Sequence, residues 1–396
     1  MSRYQELEDE YSAPAFMKFP MTLVRGKGPL VWDSEGKEYI DFMTGYGVAL
    51  IGHSNDEVAR ALAEQASRLI TCHGSFYNDV RAGFLEKLAK VTPRGLDKAL
   101  LTNSGTETVE AAIKLARRRT GRKRVVSMKG GFHGKTYGAL SATWSKKYRD
   151  PFGPLLDGFD FAEYGDPNSL SQLVNADTAA VLAEPIQGES GIVVPPPDYL
   201  RQVREICDRA GALLILDEIQ TGLGRTGKMW ASEHSGVVPD IMTVSKALGG
   251  GIPIGAAVST SEVAGSLKGG EHTSTFAGNP LSCAAASAAL DFITKNDLPG
   301  QAAAKGEAMK SELNGIAARH KLPREVRGMG LMLALQTRVD IHDQLLSAQR
   351  RGVIFGYSGR DTFRFLPALV IQQSQITRGM EALEGVIAEE EARRFQ

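Results

Sequence analysis

The run Ala212-Leu-Leu-Ile-Leu-Asp217 places five consecutive apolar residues before a carboxylate. A run without polar alternation is typical of a strand that is buried on both faces of a parallel sheet. The segment before it, 198–210, has Leu200, Val203 and Cys207 at helical spacing, which predicts an amphipathic helix. Helices that alternate with fully apolar strands predict an α/β fold, in which helices flank a parallel sheet.

The same alternation covers the middle of the chain. Short apolar runs predict strands, and segments with a 3.6-residue periodicity predict helices. A helix is predicted over 106–119, and further strands are predicted over 99–102, 124–128, 179–183 and in the run that ends at Val244.

The pattern changes after about Leu290. A charged helical stretch over 302–320 precedes two segments that alternate like an antiparallel sheet, and a long helix closes the chain; these are 330–336, 352–357 and 374–394. Turn signals near the amino terminus indicate a hairpin. We therefore predict an amino-terminal arm over 1–45, a large domain over 46–290 and a smaller α+β domain over 291–396.

The composition excludes several functional classes. The 396 residues include 46 basic and 46 acidic ones, a balance that does not indicate a nucleic-acid or membrane-surface ligand. Three widely spaced cysteines without a CxxC pair are typical of reduced thiols in a cytoplasmic protein. Residues 1–10 are polar and acidic, so we expect no secretory signal. The sequence has no uncharged apolar stretch of about 18 residues and no HxH or HExxH spacing. We predict a cytoplasmic protein without a membrane span or metal site.

Two ionisable residues lie at the ends of apolar runs: Asp217 directly follows Leu216, and Lys246 follows the run that ends at Val244. Ligands bind beyond the carboxyl ends of strands in open parallel sheets, so both positions are candidates for a site. Burial lowers the pKa of a lysine and frees its amine for Schiff-base chemistry. Taken alone, however, a lysine is more often a solvated surface charge. Asp217 is as readily a helix cap or salt-bridge partner as a carboxylate that holds a cationic ring nitrogen.

Small polar residues in Thr102-Asn-Ser-Gly-Thr-Glu-Thr108 lie between a predicted strand and a predicted helix. Backbone N–H groups at a helix start bind anions, and the helix dipole reinforces this. An ordinary cap by Ser104 or Thr106 is equally expected at this point.

Two glycine-rich turns resemble ligand-binding loops. Gly130-Gly-Phe-His-Gly-Lys-Thr136 can place Phe132 or His133 against a planar ligand, although a lone aromatic residue is more often part of a core. Gly222-Leu-Gly-Arg-Thr-Gly227 matches GxGxxG, but it does not follow a strand directly and acidic residues stand at the strand end. Nucleotide binding is therefore not predicted.

Six motifs stand in the order typical of the class III aminotransferases, the pyridoxal-phosphate enzymes of fold type I. The chain resembles this family over nearly its whole length, and it is most similar to acetylornithine-type enzymes, their carrier-protein-linked lysine and ornithine relatives, and putrescine aminotransferases. The resemblance implies a large domain with a mostly parallel seven-stranded sheet, a smaller C-terminal α+β domain, and pyridoxal 5'-phosphate as cofactor. The motifs are Asn103-Ser-Gly-Thr-Glu107, Gly131-Phe-His-Gly134, Glu184-Pro-Ile-Gln-Gly-Glu189, Asp217-Glu-Ile-Gln-Thr-Gly222, Ser245-Lys-Ala-Leu-Gly-Gly250 and Ser274-Thr-Phe-Ala-Gly-Asn-Pro280.

The resemblance also implies roles for single residues. Lys246 would hold the cofactor as a Schiff base and move a proton, Asp217 would pair with the pyridinium nitrogen, and Gln220 would bond the ring's phenolic oxygen. Thr275 would reach the phosphate of the neighbouring subunit, which implies an obligate homodimer, or a tetramer, with its active sites at the interface. The other implied cofactor contacts are Ser104, Gly105 and Thr106 around the phosphate, Phe132 stacked on the ring, and His133 beside it.

Four positions bear on the substrate by the same resemblance. Arg364 would bind a carboxylate of 2-oxoglutarate or glutamate, and Glu189 would neutralise that arginine when an ω-amine occupies the pocket. Lys135 stands where acetylornithine enzymes have an arginine, and its point charge does not imply a bidentate clamp. Tyr46 is either a substrate-facing aromatic residue or a packed core residue. The pair of Arg364 and Glu189 favours an ω-aminotransferase that makes an aldehyde and glutamate by a ping-pong mechanism.

Several alternatives stay open at this point. The donor is an ornithine- or lysine-type amine, free, acylated or borne by a carrier protein, or else putrescine or 4-aminobutyrate. Aminomutases and epimerases of the same family share most of these motifs, but they generally lack an arginine at the position of Arg364. A catalytically silent, cofactor-binding scaffold is a third alternative, against which the intact Lys246, Asp217 and Gln220 argue.

Overall fold

A computed structural model describes residues 2–395. In chain order the strands of this part are β1 (Leu23–Lys27), β2 (Leu30–Asp33), β3 (Glu38–Asp41), β4 (Lys98–Thr102), β5 (Arg124–Met128), β6 (Phe159–Ala162), β7 (Thr178–Ala183), β8 (Leu213–Asp217), β9 (Ile241–Val244), β10 (Gly255–Ser259), β11 (Pro323–Met329), β12 (Met332–Thr337), β13 (Val353–Ile354), β14 (Gly356–Ser358) and β15 (Thr362–Phe365).

The helices of the same residues range from single turns to helices of more than twenty residues. They are α1 (Arg3–Tyr11), α2 (Thr44–Gly47), α3 (Asp56–Arg68), α4 (Asp79–Val91), α5 (Gly105–Thr120), α6 (Tyr137–Ala142), α7 (Lys146–Arg149), α8 (Pro167–Leu173), α9 (Tyr199–Ala210), α10 (Ser261–Ala264), α11 (Pro280–Lys295), α12 (Leu298–Arg319), α13 (His342–Arg350) and α14 (Gln373–Phe395). Single 3₁₀ turns lie at Asp150–Phe152, Ala231–His234 and Lys246–Gly249.

The central sheet has seven strands in the order β4-β10-β9-β8-β7-β5-β6. Neighbouring strands from β9 to β6 pair in parallel, whereas β10 runs antiparallel to both β4 and β9. This arrangement confirms the predicted α/β class and the predicted mostly parallel sheet.

Strand β8 explains why a run without polar residues marks the middle of this sheet. Its Ile215 packs in one cluster with Val109 of α5, while Leu214 and Leu216 pack in another with Val203 of α9. Successive side chains of a strand point to opposite faces, and both faces of β8 are covered by helices. Leu213 is partly buried and the other positions of the run are buried, so a polar residue is disfavoured throughout the run.

The remaining strands form two four-stranded sheets, β1-β2-β3-β13 and β11-β12-β15-β14. The first contains the predicted amino-terminal hairpin, and the second is antiparallel throughout. The prediction that 352–357 belongs to an antiparallel sheet is wrong for its first half, because β13 pairs in parallel with β3. This pairing joins segments far apart in the chain, which local periodicity does not reveal.

The domain boundaries after residues 45 and 290 stay a prediction. The pairing of β13 with β3 favours a small domain to which both ends of the chain contribute. No helix within residues 2–395 is sufficiently long and apolar to span a membrane.

Candidate active site

A cavity of about 370 Å³ lies at the carboxyl ends of β5, β7, β8 and β9, beside the start of α5. This is the edge of the sheet at which parallel α/β folds bind ligands. The structure brings nine of the thirteen predicted site residues to its wall. They are Gly105, Thr106, Phe132, His133, Lys135, Glu189, Asp217, Gln220 and Lys246.

Lys246 follows β9 and begins a single 3₁₀ turn. Its backbone has φ of 39°, a left-handed conformation that costs a non-glycine residue on the order of 1 kcal/mol. Burial lowers the pKa of Lys246 below its usual value, and the Arg364 cation acts in the same direction, while Glu189 and Asp217 oppose both. The sheet therefore presents to the cavity an amine that loses its proton more easily than a surface lysine does.

Asp217 ends β8 and is only 4% exposed. Its Oδ2 atom lies 2.7 Å from Nδ1 of His133, and its Oδ1 accepts a hydrogen bond of 3.1 Å from the backbone N–H of Ile219. The other ring nitrogen of His133, Nε2, is buried and has no hydrogen-bond partner among the described residues. These bonds fix the orientation of the carboxylate at the wall of the cavity.

Glu184 is a wall residue for which the sequence had suggested no role. It follows β7 directly, and its two carboxylate oxygens each accept a 3.0 Å hydrogen bond, from the backbone N–H groups of Phe132 and Gly188. Burial raises the pKa of Glu184 to about 7, and Asp217 adds to that rise while His133 opposes it. One buried carboxyl group thus ties together the two loops that carry Phe132 and Glu189. Asp217 and Lys246 were identified as candidates because they lie at the carboxyl ends of predicted strands. Glu184 lies at the same kind of position, just after the predicted strand 179–183.

The start of α5 forms one end of the cavity. Gly105 and Thr106 line it, whereas Ser104 does not; its Oγ caps the helix by accepting a 3.4 Å hydrogen bond from the N–H of Glu107. A Cβ atom on Gly105 would lie 3.1 Å from the side chain of Ile219, so the wall is closely packed at this point. The helix terminus on which the predicted anion site depends is present at the cavity. The Ser104 side chain, however, caps α5 instead of lining the cavity.

Arg364, in β15, is fully buried directly behind the cavity wall. Its Nη1 donates to Oε1 of Glu189 at 2.9 Å, and its Nη2 donates to Oε1 of Gln220 at 2.9 Å. Its Nε has no partner among the described residues. Burial favours a raised pKa for Glu189, but the Arg364 cation outweighs it and holds that pKa below the usual value. The predicted pair of Arg364 and Glu189 is thus in contact.

Gln220 is held between two protein groups. Its Oε1 accepts the hydrogen bond from Arg364, and its Nε2 donates a long hydrogen bond of 3.4 Å to the carbonyl of Tyr46. A Cβ atom on Gly188 would lie 2.0 Å from Gln220 Oε1, so any other residue here would displace the Gln220 side chain from this position. A bond from Gln220 to a ring oxygen stays a prediction.

The backbone around Glu189 is anchored on both sides. The N–H of Gly188 donates to Glu184, and the carbonyl of Glu189 accepts a hydrogen bond from the Ser358 hydroxyl. The Glu189 side chain itself is 32% exposed and faces the cavity. Its carboxylate can therefore move while its main chain stays in place.

Two other predicted residues lie outside the cavity wall. Tyr46 belongs to α2, in which Thr44 to Gly47 all have positive φ, and Asp41 holds this turn by accepting two 2.8 Å bonds from the N–H groups of Met43 and Thr44. The guanidinium carbon of Arg364 lies 5.4 Å from the Tyr46 ring centre. Thr275 is exposed, and it does not line the cavity of its own chain.

Comparison with known proteins gives a consistent result. The family model described as "Aminotransferase class-III" matches residues 11–387. An acetylornithine aminotransferase of Methanopyrus kandleri is 43% identical over 96% of this chain and 97% of its own length. A LysW-aminoadipate semialdehyde transaminase of Deinococcus radiodurans is 44% identical over 98% of this chain and 90% of its own.

Solved structures agree with this match. An ornithine aminotransferase of Toxoplasma gondii ME49 superposes with a TM-score of 0.95 at 32% identity, covering 99% of this chain and 96% of that one. An acetylornithine aminotransferase of Elizabethkingia anophelis superposes with a TM-score of 0.87 at 33% identity, covering 98% of both chains.

The residues around the cavity fit pyridoxal phosphate. An amine with a lowered pKa, Lys246, faces the same space as a buried carboxylate, Asp217, which suits a group with an aldehyde and a basic ring nitrogen. The start of α5 supplies a site for a phosphate. The amine of Lys246, the carboxylate of Asp217 and the start of α5 thus suit the aldehyde, the ring nitrogen and the phosphate of this cofactor.

Proposed function

Because the chain belongs to the class-III aminotransferase family, whose members use pyridoxal phosphate, we propose that it transfers a terminal amino group from an ω-amine donor to 2-oxoglutarate. The donor would leave as an aldehyde and the acceptor as glutamate, in two alternating half-reactions. Transamination itself is the activity of the family. What we propose in addition is that the donor gives up a terminal amino group and that the acceptor is 2-oxoglutarate.

One observation carries this proposal, namely the contact of a fully buried Arg364 with the partly exposed Glu189. A guanidinium at the cavity suits one carboxylate of a dicarboxylic acceptor, because the two bind through paired charge-assisted hydrogen bonds. An unpaired buried cation is costly when the substrate lacks that carboxylate. Glu189 removes this cost in the amine half-reaction, so one pocket serves two unlike substrates.

The other side chains would act on the reacting groups. Lys246 would hold the cofactor and take up and return a proton at Nζ, and Asp217, oriented by His133, would hold a cationic ring nitrogen. Bound there, pyridoxal phosphate supplies the electron sink for the reaction. Phe132, whose backbone Glu184 fixes, would cover one face of the ring, and the start of α5 would hold the phosphate.

The donor class follows from the similar proteins and from Lys135. The relatives named above act, by their names, on acetylornithine and on a LysW-linked aminoadipate semialdehyde, and the structural neighbours include ornithine aminotransferases. Lys135 lines the cavity as a single cation. We therefore place ornithine- and lysine-type ω-amines first, including acylated or carrier-borne forms, with putrescine and 4-aminobutyrate as the alternatives.

A donor screen tests the proposed function. Purified enzyme with 2-oxoglutarate should form glutamate from at least one of N-acetylornithine, ornithine, lysine, putrescine and 4-aminobutyrate. Alanine, whose sole amino group is in the α-position, is the comparison donor; glutamate formed from alanine but from none of the five would contradict the proposal. Product that forms from the amine without 2-oxoglutarate would indicate an aminomutase or epimerase instead.

We further propose that the active enzyme is a homodimer. Two neighbouring loops expose large apolar side chains, with Phe76 69% and Phe276 65% exposed. The N–H of Leu281, in the first turn of α11, donates to the carbonyl of Ile70, which connects the two segments. Such a patch is typical of an interface. Sedimentation should give a mass of twice 42.7 kDa, and an active species of 42.7 kDa would contradict the proposal.

A further inference from the structure

The glycine-rich turn over 222–227 packs against the C-terminal part of the chain. A Cβ atom on Gly227 would lie 3.0 Å from that of Ala303, near the start of α12, so the absence of a side chain lets the turn lie directly on this helix. The turn also bonds to the hairpin between β11 and β12, because the carbonyl of Arg225 accepts a 3.0 Å hydrogen bond from the N–H of Leu331. The pattern that resembles a nucleotide-binding loop thus forms a contact between distant parts of the chain.

Arg225 is a fully buried cation without a counter-ion. Within residues 2–395 it forms no salt bridge, and its Nε and Nη2 atoms have no hydrogen-bond partner there. Its Nη1 atom donates at 2.9 Å to the carbonyl of Leu331 and at 2.6 Å to that of Pro367. Burial lowers the pKa of Arg225 to about 9. An apolar side chain of similar volume often avoids the cost of a buried charge, so packing alone does not account for an arginine here.

The bond to Pro367 leads directly to the active site. Pro367 follows Arg364 by three residues, just beyond the end of β15. Gln220, in the same loop after β8 as Arg225, accepts a hydrogen bond from the guanidinium of Arg364. One loop therefore holds the end of β15 at two places, at the side chain of Arg364 through Gln220 and at the main chain of Pro367 through Arg225.

The amino-terminal part of the chain holds the same strand end from another direction. The N–H of Leu366 donates at 2.7 Å to the carbonyl of Phe42, and the carbonyl of Leu366 accepts from the hydroxyl of Thr44. These two bonds do not depend on Arg225. Without Arg225 the segment should therefore stay folded but shift, and small shifts of a binding group are costly to substrate binding and catalysis.

We propose that Arg225 is a positioning residue for Arg364, which sets the place of that guanidinium at the cavity and thereby the affinity for the dicarboxylic acceptor. Arg225 does not line the cavity, so it acts through the end of β15 and not on the substrate itself. The proposal rests on the proposed function, in which Arg364 serves the acceptor half-reaction alone. The effect of Arg225 should accordingly be confined to that half-reaction.

The variant Arg225→Met removes the donor and keeps an apolar side chain. We expect KM for 2-oxoglutarate to rise roughly tenfold, the value of one hydrogen bond to a charged group, while kcat and the rate of the amine half-reaction stay within about twofold. The conservative variant Arg225→Lys keeps a cationic donor and should give a smaller rise. A merely structural residue would slow both half-reactions together.

Lys305→Met is the matched control. Lys305 is also a partly buried cation that donates to a main-chain carbonyl just after β15, at 2.8 Å to Leu369, but it does so from α12 and not from the loop after β8. In this control KM for 2-oxoglutarate should stay within about twofold of the unmodified enzyme, as expected for a site that does not share the contacts of Arg225. An equal rise in both variants would overturn the proposal.

A double-mutant cycle tests whether Arg225 acts through Arg364. When Arg225→Met is added to Arg364→Ala, KM for 2-oxoglutarate should not rise further by more than about twofold, because residues that act through one group are not additive. A further tenfold rise in the double variant would show a separate role for Arg225 and contradict the proposal.

Calorimetry with glutarate, a dicarboxylate that cannot be aminated, gives a readout independent of turnover. The dissociation constant of glutarate from the holoenzyme should be roughly tenfold higher in Arg225→Met and unchanged in Lys305→Met. Equal constants in the unmodified enzyme and Arg225→Met would overturn the proposal, as would failure of both Arg225 variants to give soluble holoenzyme when Lys305→Met does. If no ω-amine is turned over, the proposed function fails, and the glutarate constants still decide the role of Arg225.

Discussion

Replacing Lys246 with alanine is expected to lower kcat by at least about 10⁴-fold, because the variant lacks both the amine that holds the cofactor and the base that moves the proton. The lowered pKa of Lys246 makes it the lysine of the cavity best suited to attack an aldehyde at neutral pH. The fold should persist, since the Lys246 side chain forms no hydrogen bond or salt bridge with another residue between 2 and 395.

Two measurements check this result. Turnover with the best donor gives the loss of rate, and borohydride reduction followed by peptide mapping shows which lysine carries the cofactor. Lys228→Ala is the control, because Lys228 is an exposed lysine that follows the Gly222 to Gly227 turn. Cofactor trapped on any lysine other than Lys246, or full activity in Lys246→Ala, would refute the assignment.

Replacing Arg364 with alanine is expected to raise KM for 2-oxoglutarate by roughly 10²-fold, because removing one partner of a buried charge-assisted pair costs about 2–5 kcal/mol. The amine half-reaction should change far less, since its substrate does not use the guanidinium. Glu189→Gln should have the opposite preference and slow the amine half-reaction, because glutamine accepts a hydrogen bond from Arg364 without neutralising it.

Single-turnover kinetics separate these two effects. The spectrum of the bound cofactor reports each half-reaction when only one substrate is added. Arg360→Ala is a matched control, because that side chain is 90% exposed and lies in the turn before β15. If Arg364→Ala and Glu189→Gln slowed both half-reactions equally, the switch between two substrates would have to be abandoned.

Much of the sheet could be predicted because its signal is local. A strand covered by helices on both faces must be apolar at every position, as Leu214 to Leu216 are. The residue after such a strand lies at the ligand-binding edge whatever the rest of the chain does. That rule identified Asp217 and Lys246, and it would have identified Glu184 had it been applied to β7.

The remaining features depend on contacts between distant segments. Gln220 meets Arg364 because β15 packs behind the loop after β8, and Gly188 leaves the space that Gln220 fills. Neither contact has a periodic signature. The left-handed turn that carries Tyr46 is held by Asp41, whose two hydrogen bonds are equally invisible in a linear pattern. Gln220, Arg364 and Tyr46 could be named only from the resemblance to the family. The contacts in the fold explain why these residues lie near the cavity.

If Glu189 switches the pocket between two substrates as proposed, its anchored backbone limits what has to move. Glu184 and Ser358 hold the main chain on either side of this residue, so only the side-chain torsions of Glu189 need to change. Rotamer changes of accessible side chains take picoseconds to nanoseconds, whereas loop and domain motions extend to microseconds and milliseconds. Under the proposed function, alternation between two substrates in every catalytic cycle would therefore add no slow conformational step, and the pocket would be reset within the lifetime of a single encounter with substrate.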